Sequence, residues 1–246
     1  MTNQNSLWLP PPENLRLLKD EVHVWRVSLN LPEAHIQSLQ RLLADDELKR
    51  AQRFYFQKDR NHFTIARGVL RHILGRYLNK SPSRLRFCYN SYGKPFLSKE
   101  TLCFNLSHSH GLALVALTLG REIGVDLERV RCNSDFLAIA ERFFSPQEVA
   151  VLQALPEHQQ QEGFFNCWTR KEAYIKGKGR GLSIPLGKFA VSLAPGEPTK
   201  LLEVHWDSQE VSRWSLQALT PGPGYTAAFA VEQHQWQLRC WQWATP

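Results

Sequence analysis

The chain has 246 residues, of which 43% are hydrophobic and 22% are charged. This balance is ordinary for a globular protein of one large or two small domains, and it excludes collagen-like and intrinsically disordered classes. The net charge of +7 favours anionic partners but does not identify one.

Targeting signals and cysteine spacing predict a cytoplasmic protein. No apolar run approaches the roughly 18 residues that a membrane-spanning helix needs. The start of the chain does not combine basic residues with an apolar core, so no secretory signal is predicted. The five cysteines form no Cys-x-x-Cys pair, which favours reduced thiols over a zinc site or disulfides. They are Cys88, Cys103, Cys132, Cys167 and Cys240.

The first half of the chain is predicted to contain a strand, three helices and further strands, in that order. Alternating apolar residues predict a strand over 22–29, and short helices follow over 32–43 and 45–56. A longer amphipathic helix is predicted over 59–78, because its apolar residues recur at helical spacing. Predicted strands lie near 85–88, 102–106 and 112–119, before a tight turn at Gly120 and Arg121.

The second half repeats this order of elements. Its predicted strands and helices lie at 123–130 (strand), 135–143, 145–155 and 159–178 (helices), and 189–193, 202–206, 214–218, 225–231 and 236–241 (strands). The halves are offset by about 100 residues, without clear residue identity between them. The pattern predicts an α+β fold with a boundary near Gly120.

A pair of carboxylates lies in the strand that opens the second half. Asp126 and Glu128, in the segment Gly124-Val125-Asp126-Leu127-Glu128, are two residues apart, so both side chains point to one side of the strand. The plain alternative is a strand with Val125 and Leu127 in the core and two solvated charges. Two like charges on one face repel unless a cation lies between them.

A second acidic group lies on the longest helix of that half. Glu172 and Lys176 are four residues apart on one helix face, a spacing that is common for surface ion pairs. Trp168 lies on the same face, which argues against a fully solvated surface. If the fold joins both segments, three carboxylates and an ammonium share one site. That set suits magnesium shared with substrate phosphates, and it indicates transfer of a phosphate-linked group.

Four motifs in order resemble those of the 4'-phosphopantetheinyl transferases. They are Tyr92-Gly93-Lys94-Pro95, Phe104-Asn105-Leu106-Ser107-His108-Ser109, Gly124 to Glu128, and Trp168 to Lys176. The motifs and the chain length are similar to the long, monomeric type of the family, which activates peptide and polyketide synthetases such as surfactin synthetase.

The resemblance implies two similar α+β halves with the active site in the cleft between them. Residues 1–120 would bind coenzyme A, and residues 121–246 would carry magnesium and the catalytic groups. The implied reaction moves 4'-phosphopantetheine from coenzyme A to a serine of an apo carrier protein and releases 3',5'-ADP. The implied partner is an acidic acyl or peptidyl carrier protein, without a role for nucleic acid or membrane.

The resemblance also implies a role for each matching residue. Asp126, Glu128 and Glu172 would bind magnesium, and Glu172 could instead act as the base for the incoming serine. Lys176 would contact phosphate as a catalytic and coenzyme A-binding residue. The remaining coenzyme A contacts would be Ser107, His108 and Lys94, with Arg50 and Arg53 on the 3'-phosphate. Glu47 stands where relatives often carry a basic residue, which is a departure from the family pattern.

Several other interpretations compete with these assignments, and most of them lack a supporting motif. His108 and His110 form a His-x-His pair, but no further metal ligand is spaced nearby. Ser107 is not in the Gly-x-Ser-x-Gly turn of a serine hydrolase. Ser145, Pro146 and Glu148 form a helix-capping box, so Glu148 is left out of the metal site. The alternative function is a basic nucleic-acid-binding protein, because eight Trp and 30 Lys plus Arg supply stacking and phosphate contacts.

Overall fold

The computed structural model describes residues 8–131 and 135–245. The first half has the order strand, three helices and four strands. These are β1 (Glu21–Ser28), α1 (Glu33–Gln40), α2 (Asp45–Gln52), α3 (Gln57–Leu78), β2 (Cys88–Tyr89), β3 (Pro95–Phe96), β4 (Leu102–Ser109) and β5 (Leu112–Leu119).

The second half follows the same order and adds one short helix and one strand. Its elements are β6 (Ile123–Arg129), α4 (Phe136–Phe143), α5 (Pro146–Ala154), α6 (Glu157–Lys178), β7 (Phe189–Val191), β8 (Leu201–Val204), α7 (Glu210–Arg213), β9 (Trp214–Leu219), β10 (Tyr225–Glu232) and β11 (Gln237–Gln242). The predicted α+β class is confirmed, and the sequence pattern missed only short elements such as β3 and α7.

The two main sheets are built alike. The first has the strand order β11-β1-β5-β4, and the second has the order β6-β10-β9. In each half, the last strand of the repeated order lies in the middle and pairs antiparallel with the first strand, as Trp25 with Val115 and Asp126 with Ala228. The final strand β11 pairs in parallel with β1 of the other half. The predicted domain boundary near Gly120 stays a prediction.

The sheets and long helices form four layers. Helix α3 packs on the outer face of the first sheet, around Trp25, Val69 and Val115. Helix α6 packs on the outer face of the second sheet, around Tyr174 and Ala228. The inner faces meet through an apolar core that includes Val24, Val125 and Phe229. Each such fully buried large side chain stabilises the fold by about 1.5–3 kcal/mol, which fixes the halves against each other.

A buried ion pair is repeated in the two halves. On α3, Arg71 Nε lies 2.6 Å from Glu47 Oε2. On α6, Lys171 Nζ lies 2.8 Å from Glu148 Oε2. Each cation also donates to two backbone carbonyls, those of Pro82 and Leu85 for Arg71 and those of Leu186 and Phe189 for Lys171. The internal repeat therefore includes a buried ion pair in each half, with an arginine in the first half and a lysine in the second.

Both glutamates also cap a short helix. Glu148 Oε2 accepts the Ser145 N–H at 2.8 Å, and Ser145 Oγ accepts the Glu148 N–H at 3.3 Å. The predicted capping box is thus confirmed. Glu47 Oε2 accepts the Ala44 N–H at 2.9 Å. Three backbone N–H groups at helix starts, which would otherwise lack partners, are satisfied in this way.

Two simpler sequence predictions can be compared with the described residues. Cys88, Cys103, Cys167 and Cys240 are free thiols, whereas Cys132 lies outside the described ranges. Within those ranges, no helix combines the length and apolarity needed to cross a membrane.

Candidate active site

Strand β6 and helix α6 approach each other closely at a glycine. A Cβ built on Gly124 would lie 2.1 Å from the Ala173 carbonyl oxygen and 2.2 Å from the Gly177 nitrogen. No larger residue fits there without moving one backbone away from the other. Asp126 is the next residue of β6 on the same face as Gly124. The close approach at Gly124 therefore places Asp126 beside the last turns of α6.

The first half reaches the same place through β4. Asn105 Oδ1 accepts the backbone N–H of Val125 at 2.9 Å. Two residues further on, Ser107 Oγ donates to Asp126 Oδ1 at 3.0 Å. Polar side chains of β4 thus bond to the free edge of β6, so the site lies where the two halves meet.

Lys176 completes a three-residue contact. Its Nζ lies 2.5 Å from Asp126 Oδ1 and 3.1 Å from Ser107 Oγ. Burial disfavours the charged ammonium, but the charge and hydrogen bond of Asp126 outweigh burial and raise the pKa of Lys176. Asp126 is only 2% exposed, and its second oxygen, Oδ2, is buried without a hydrogen-bond partner. An unpaired buried carboxylate oxygen is costly, and it is the kind of group that a cation satisfies.

The other two acidic residues of the predicted site face Asp126. Burial raises the pKa of Glu172 to about 7, and the charges of Asp126 and Glu128 add to this rise while Lys176 opposes it. Burial, followed by the charge of Asp126, also raises the pKa of Glu128. The three carboxylates are therefore close enough to repel one another, and one ammonium does not fully compensate them.

The carboxylates are not arranged as a ready-made metal centre. Within residues 8–131 and 135–245, no group of three His, Cys, Asp or Glu side chains has the geometry to hold a metal ion. The donor chemistry does fit magnesium, because all three groups offer carboxylate oxygens and Asp126 Oδ2 has no other partner. Magnesium binding by Asp126, Glu128 and Glu172 stays a prediction.

A group of cationic side chains lies next to the carboxylates. Partial desolvation of the His108 imidazole lowers its pKa, and the charges of Lys176 and Arg50 and the neighbouring His62 lower it further. His108 itself is exposed, whereas His62 on α3 is buried. Predicted site residues from both halves thus share one positive region, which suits an anionic ligand.

Comparisons with known proteins show which family the chain belongs to. A family model described as 4'-phosphopantetheinyl transferase superfamily matches residues 122–230, and one described as 4'-phosphopantetheinyl transferase, N-terminal, matches residues 30–119. The 4'-phosphopantetheinyl transferase HetI of Nostoc sp. is 46% identical over 240 residues, which cover 96% of this chain and 98% of that protein. The chain belongs to the 4'-phosphopantetheinyl transferase superfamily.

Two further relatives show how far the likeness extends. A 4'-phosphopantetheinyl transferase of Bacillus pumilus is 31% identical, covering 83% of this chain and 88% of its own length. The 4'-phosphopantetheinyl transferase Sfp of Bacillus subtilis is 33% identical, covering 61% of this chain and 66% of its own length. The predicted family and enzyme class are confirmed, and the alternative of a nucleic-acid-binding protein is not favoured.

Lys94 of this transferase has contacts that the sequence did not suggest. Its ammonium lies 2.6 Å from Glu122 Oε2 and donates to the carbonyls of Ile123 and Gly177 at 3.2 and 2.9 Å. Cations stabilise helix C-termini, and Gly177 lies in the last turn of α6. Lys94 therefore joins the first half to the end of α6, and its role in coenzyme A binding stays a prediction.

Asn90 is a residue that the sequence analysis missed. Its Nδ2 donates to the Gly179 carbonyl at 2.6 Å, and its Oδ1 accepts the N–H groups of Tyr92 and Lys94 at 2.9 Å. Asn90 thus shapes the Tyr92–Lys94 turn and ties it to the residue after α6. An Asn two residues before a Gly-containing turn is a general turn signal, but its partner 89 residues away is visible only in the fold.

The predicted 3'-phosphate residues lie on and beside α2. The Arg50 guanidinium lies over the Phe63 ring at 5.5 Å from its centroid, and Arg53 is exposed just after the helix. Glu47 does not face the same surface, because it is 2% exposed and binds Arg67 and Arg71 at 2.6 Å each. Although Glu47 departs from the family pattern, it therefore adds no negative charge to the positive region. The roles of Arg50 and Arg53 stay predictions.

An apolar groove begins at Glu128. It has a volume of about 250 Å³, and its lining consists of Glu128, Arg129, Arg131, Ile139, Phe164, Phe165 and Trp168. Trp168 stacks on Phe164 with ring centroids 5.9 Å apart, which explains why the tryptophan of the motif is not a solvated surface residue. A larger cleft of about 1020 Å³ beside Arg170 and Glu197 contains none of the predicted site residues.

Proposed function

We propose that this transferase moves the 4'-phosphopantetheine group from coenzyme A to a serine of an apo carrier protein at the junction of β4, β6 and α6. The observation that carries the assignment is the contact of Lys176 with Asp126 and Ser107. It joins residues of three separate motifs, from both halves, in one buried place. Glu128 and Glu172 lie beside it, as the direction of their pKa shifts indicates.

Asp126, Glu128 and Glu172 would together hold a magnesium ion. The buried, unpartnered Oδ2 of Asp126 and the mutual repulsion of the three carboxylates support this set. When bound, magnesium would offset negative charge on the diphosphate of coenzyme A. The protein's own contribution is to hold three oxygen donors on two rigid elements, β6 and α6.

The reaction exchanges one phosphorus–oxygen bond for another. The serine oxygen of the carrier attacks the phosphorus attached to pantetheine, and the bond from that phosphorus to the oxygen of 3',5'-ADP breaks. Glu172, whose pKa of about 7 suits proton transfer near neutral pH, would accept the serine proton. Lys176 stays charged because its pKa is raised, so it can neutralise the departing phosphate.

Glu172 has two proposed roles that compete. A carboxylate bound to a divalent cation has a lowered pKa and is a poor base. Replacement by Gln separates the roles, because loss of a ligand weakens metal binding whereas loss of a base leaves metal binding intact and removes the acidic limb of the pH–rate profile. We propose magnesium binding as its role before the carrier arrives.

Coenzyme A would bind across the positive region. Ser107 and His108 would contact the diphosphate together with Lys176, whose ammonium touches both Ser107 and Asp126. Arg50, which lies near enough to His108 to lower its pKa, would contact the 3'-phosphate together with Arg53. Hydrogen bonds between cationic donors and phosphate are stronger than neutral ones and carry much of the affinity for such ligands.

The carrier protein would dock at the groove beside Glu128. Its apolar floor of Ile139, Phe164 and Trp168 and its basic rim of Arg129 and Arg131 suit an acidic partner with some exposed apolar surface. This placement puts the carrier next to the metal-binding carboxylates. We further infer that the enzyme acts as a monomer in a reducing, cytoplasmic environment, where the free thiols would persist.

Mass spectrometry tests the reaction directly. An apo carrier protein incubated with this chain, coenzyme A and magnesium should gain the mass of one phosphopantetheine. A sample with excess chelator, and one with the carrier serine replaced by alanine, should gain none. No mass gain on any acyl or peptidyl carrier would overturn the proposed function.

A further inference from the structure

Ser109 contacts a predicted metal-binding carboxylate from the opposite half of the molecule. It is the last residue of β4, and its Oγ lies 3.1 Å from Glu128 Oε2. The sequence motif gave roles to Ser107 and His108 but none to Ser109. The contact suggests that Ser109 acts through Glu128 rather than on a substrate.

The direction of this hydrogen bond follows from the second partner of Ser109. The backbone N–H of Arg129 donates to Ser109 Oγ at 3.1 Å, so the hydroxyl oxygen already accepts one bond. Its single proton remains for an acceptor. Glu128 Oε2 at 3.1 Å is closer than His110 Nδ1 at 3.4 Å, and a carboxylate is the stronger acceptor. Ser109 therefore donates to Glu128.

The contact belongs to a regular series along two strands. Asn105, Ser107 and Ser109 alternate along β4 and point to the same side. They bind the Val125 N–H, the Asp126 carboxylate and the Glu128 carboxylate in that order. Each serine is 19 residues before its carboxylate, so the two strands run in the same direction with matched spacing.

Burial makes the series rigid. Asn105, Ser107 and Ser109 are 6%, 7% and 9% exposed, so water cannot readily replace a missing hydroxyl. Side-chain groups that bind a metal ligand from behind fix its rotamer and commonly affect metal affinity. Ser109 bonds both the backbone next to Glu128 and the Glu128 carboxylate, which leaves Glu128 little freedom to rotate.

We propose that Ser109 is a positioning residue that holds the Glu128 carboxylate in the orientation needed for metal binding. This inference rests on the proposed function, because it takes Glu128 as a magnesium ligand. It predicts that Ser109→Ala weakens metal binding while binding of coenzyme A without metal is unchanged. It also predicts a fall in kcat rather than a rise in the KM for coenzyme A.

The experiment compares three variants with the wild-type enzyme. Binding of Mn²⁺, used as a probe for magnesium, is followed by electron paramagnetic resonance in the presence of coenzyme A. We expect Ser109→Ala to lower Mn²⁺ affinity and kcat by about 10- to 100-fold, and Ser109→Thr, which keeps a hydroxyl, to restore most of both. Thr118→Val is the matched control. It removes a buried hydroxyl that bonds the Arg121 carbonyl, so it should change thermal stability but neither readout.

The outcomes distinguish this inference from the proposed function. If the wild-type enzyme neither binds Mn²⁺ nor transfers phosphopantetheine, the proposed function fails. If the wild-type enzyme does both and Ser109→Ala matches it in both readouts, the positioning role is wrong. A loss of metal-free coenzyme A binding in Ser109→Ala would also overturn it, since that result marks a general disturbance of the interface. Should Ser109→Ala not fold, Ser109→Cys carries the same expectation, because a thiol is a weak donor.

Discussion

The ammonium of Lys176 lies 2.5 Å from the Oδ1 atom of Asp126. This pair joins the last turn of α6 to β6, and the Ser107 hydroxyl adds a contact from the other half of the molecule. The pair holds a cation beside a buried carboxylate whose second oxygen lacks a partner. When a metal ion and a phosphate bind, the Asp126 carboxylate can become a metal ligand and the Lys176 ammonium can bind the phosphate. Substitutions can therefore test the role of each group separately.

Removing the charge of Asp126 should abolish transfer without unfolding the protein. In Asp126→Asn, the side chain keeps its volume, and Ser107 can still donate to the remaining oxygen. Turnover should fall by orders of magnitude, since a metal ligand and the partner of Lys176 are both lost. Circular dichroism should show a folded protein, and the exposed Asp46→Asn should serve as a fully active control. Substantial turnover in Asp126→Asn would contradict the need for the Asp126 charge in metal binding.

The stability of the metal-free protein should depend on Glu172 and on pH. The pKa of Glu172 is raised from 4.5 to about 7, so the folded state binds more protons than the unfolded state in this interval. The contribution of Glu172 to the free energy of unfolding is therefore fully present at low pH, and it is lost as pH rises from about 4.5 to about 7. The shift corresponds to on the order of 3 kcal/mol at most.

Glu172→Gln tests that dependence directly. It should melt at a higher temperature than the wild-type protein at pH 8 and at a similar temperature at pH 4.5, with chelator in both buffers. Magnesium should raise the melting temperature of the wild-type protein more at pH 8, because it offsets the repulsion among the carboxylates. Equal melting temperatures of the two proteins at pH 8 would contradict the raised pKa of Glu172 and the burial that is its main cause.

Lys176→Arg should be folded but impaired. The substitution keeps the positive charge but replaces a compact ammonium by a planar guanidinium, which cannot take the same place between Asp126 and Ser107 without rearrangement. We expect a lower kcat and little change in melting temperature, because the side chain is 30% exposed. Lys178→Arg is the control, because Lys178 lies two residues further along α6, on a different face, and is paired with Glu210. Wild-type turnover in Lys176→Arg would reduce the role of Lys176 to that of a general surface charge.

Arg50→Ala should reveal which phosphate Arg50 contacts. If Arg50 binds the 3'-phosphate, the variant should lose affinity for coenzyme A by an amount typical of a charge-assisted hydrogen bond, about 1.5–3 kcal/mol. Its affinity for dephospho-coenzyme A should equal that of the wild-type protein. Calorimetry measures both ligands, and Arg53→Ala provides the neighbouring comparison. An equal loss for the two ligands would place Arg50 elsewhere on coenzyme A.

Local sequence was sufficient for the elements and for most of the chemistry. Periodicity predicted both long helices and the main strands, because helix and strand spacing are properties of neighbouring residues. The capping box at Ser145 and Glu148 was also predictable, since its two hydrogen bonds span three residues. Spacing placed the candidate carboxylates on shared faces of a strand and a helix, and the family resemblance supplied their predicted roles and the reaction.

Only the tertiary structure decided which groups meet and which are buried. Gly124 determines the contact of β6 with α6, and through it the pairing of Asp126 with Lys176 across 50 residues. Glu47 turns inward to Arg67 and Arg71, and Ser109 reaches Glu128 in the other half. These partners lie far apart in the chain, and the energy of each contact depends on burial and direction. Neither quantity is a property of a local segment, which is why the sequence alone suggested candidate residues but not their partners.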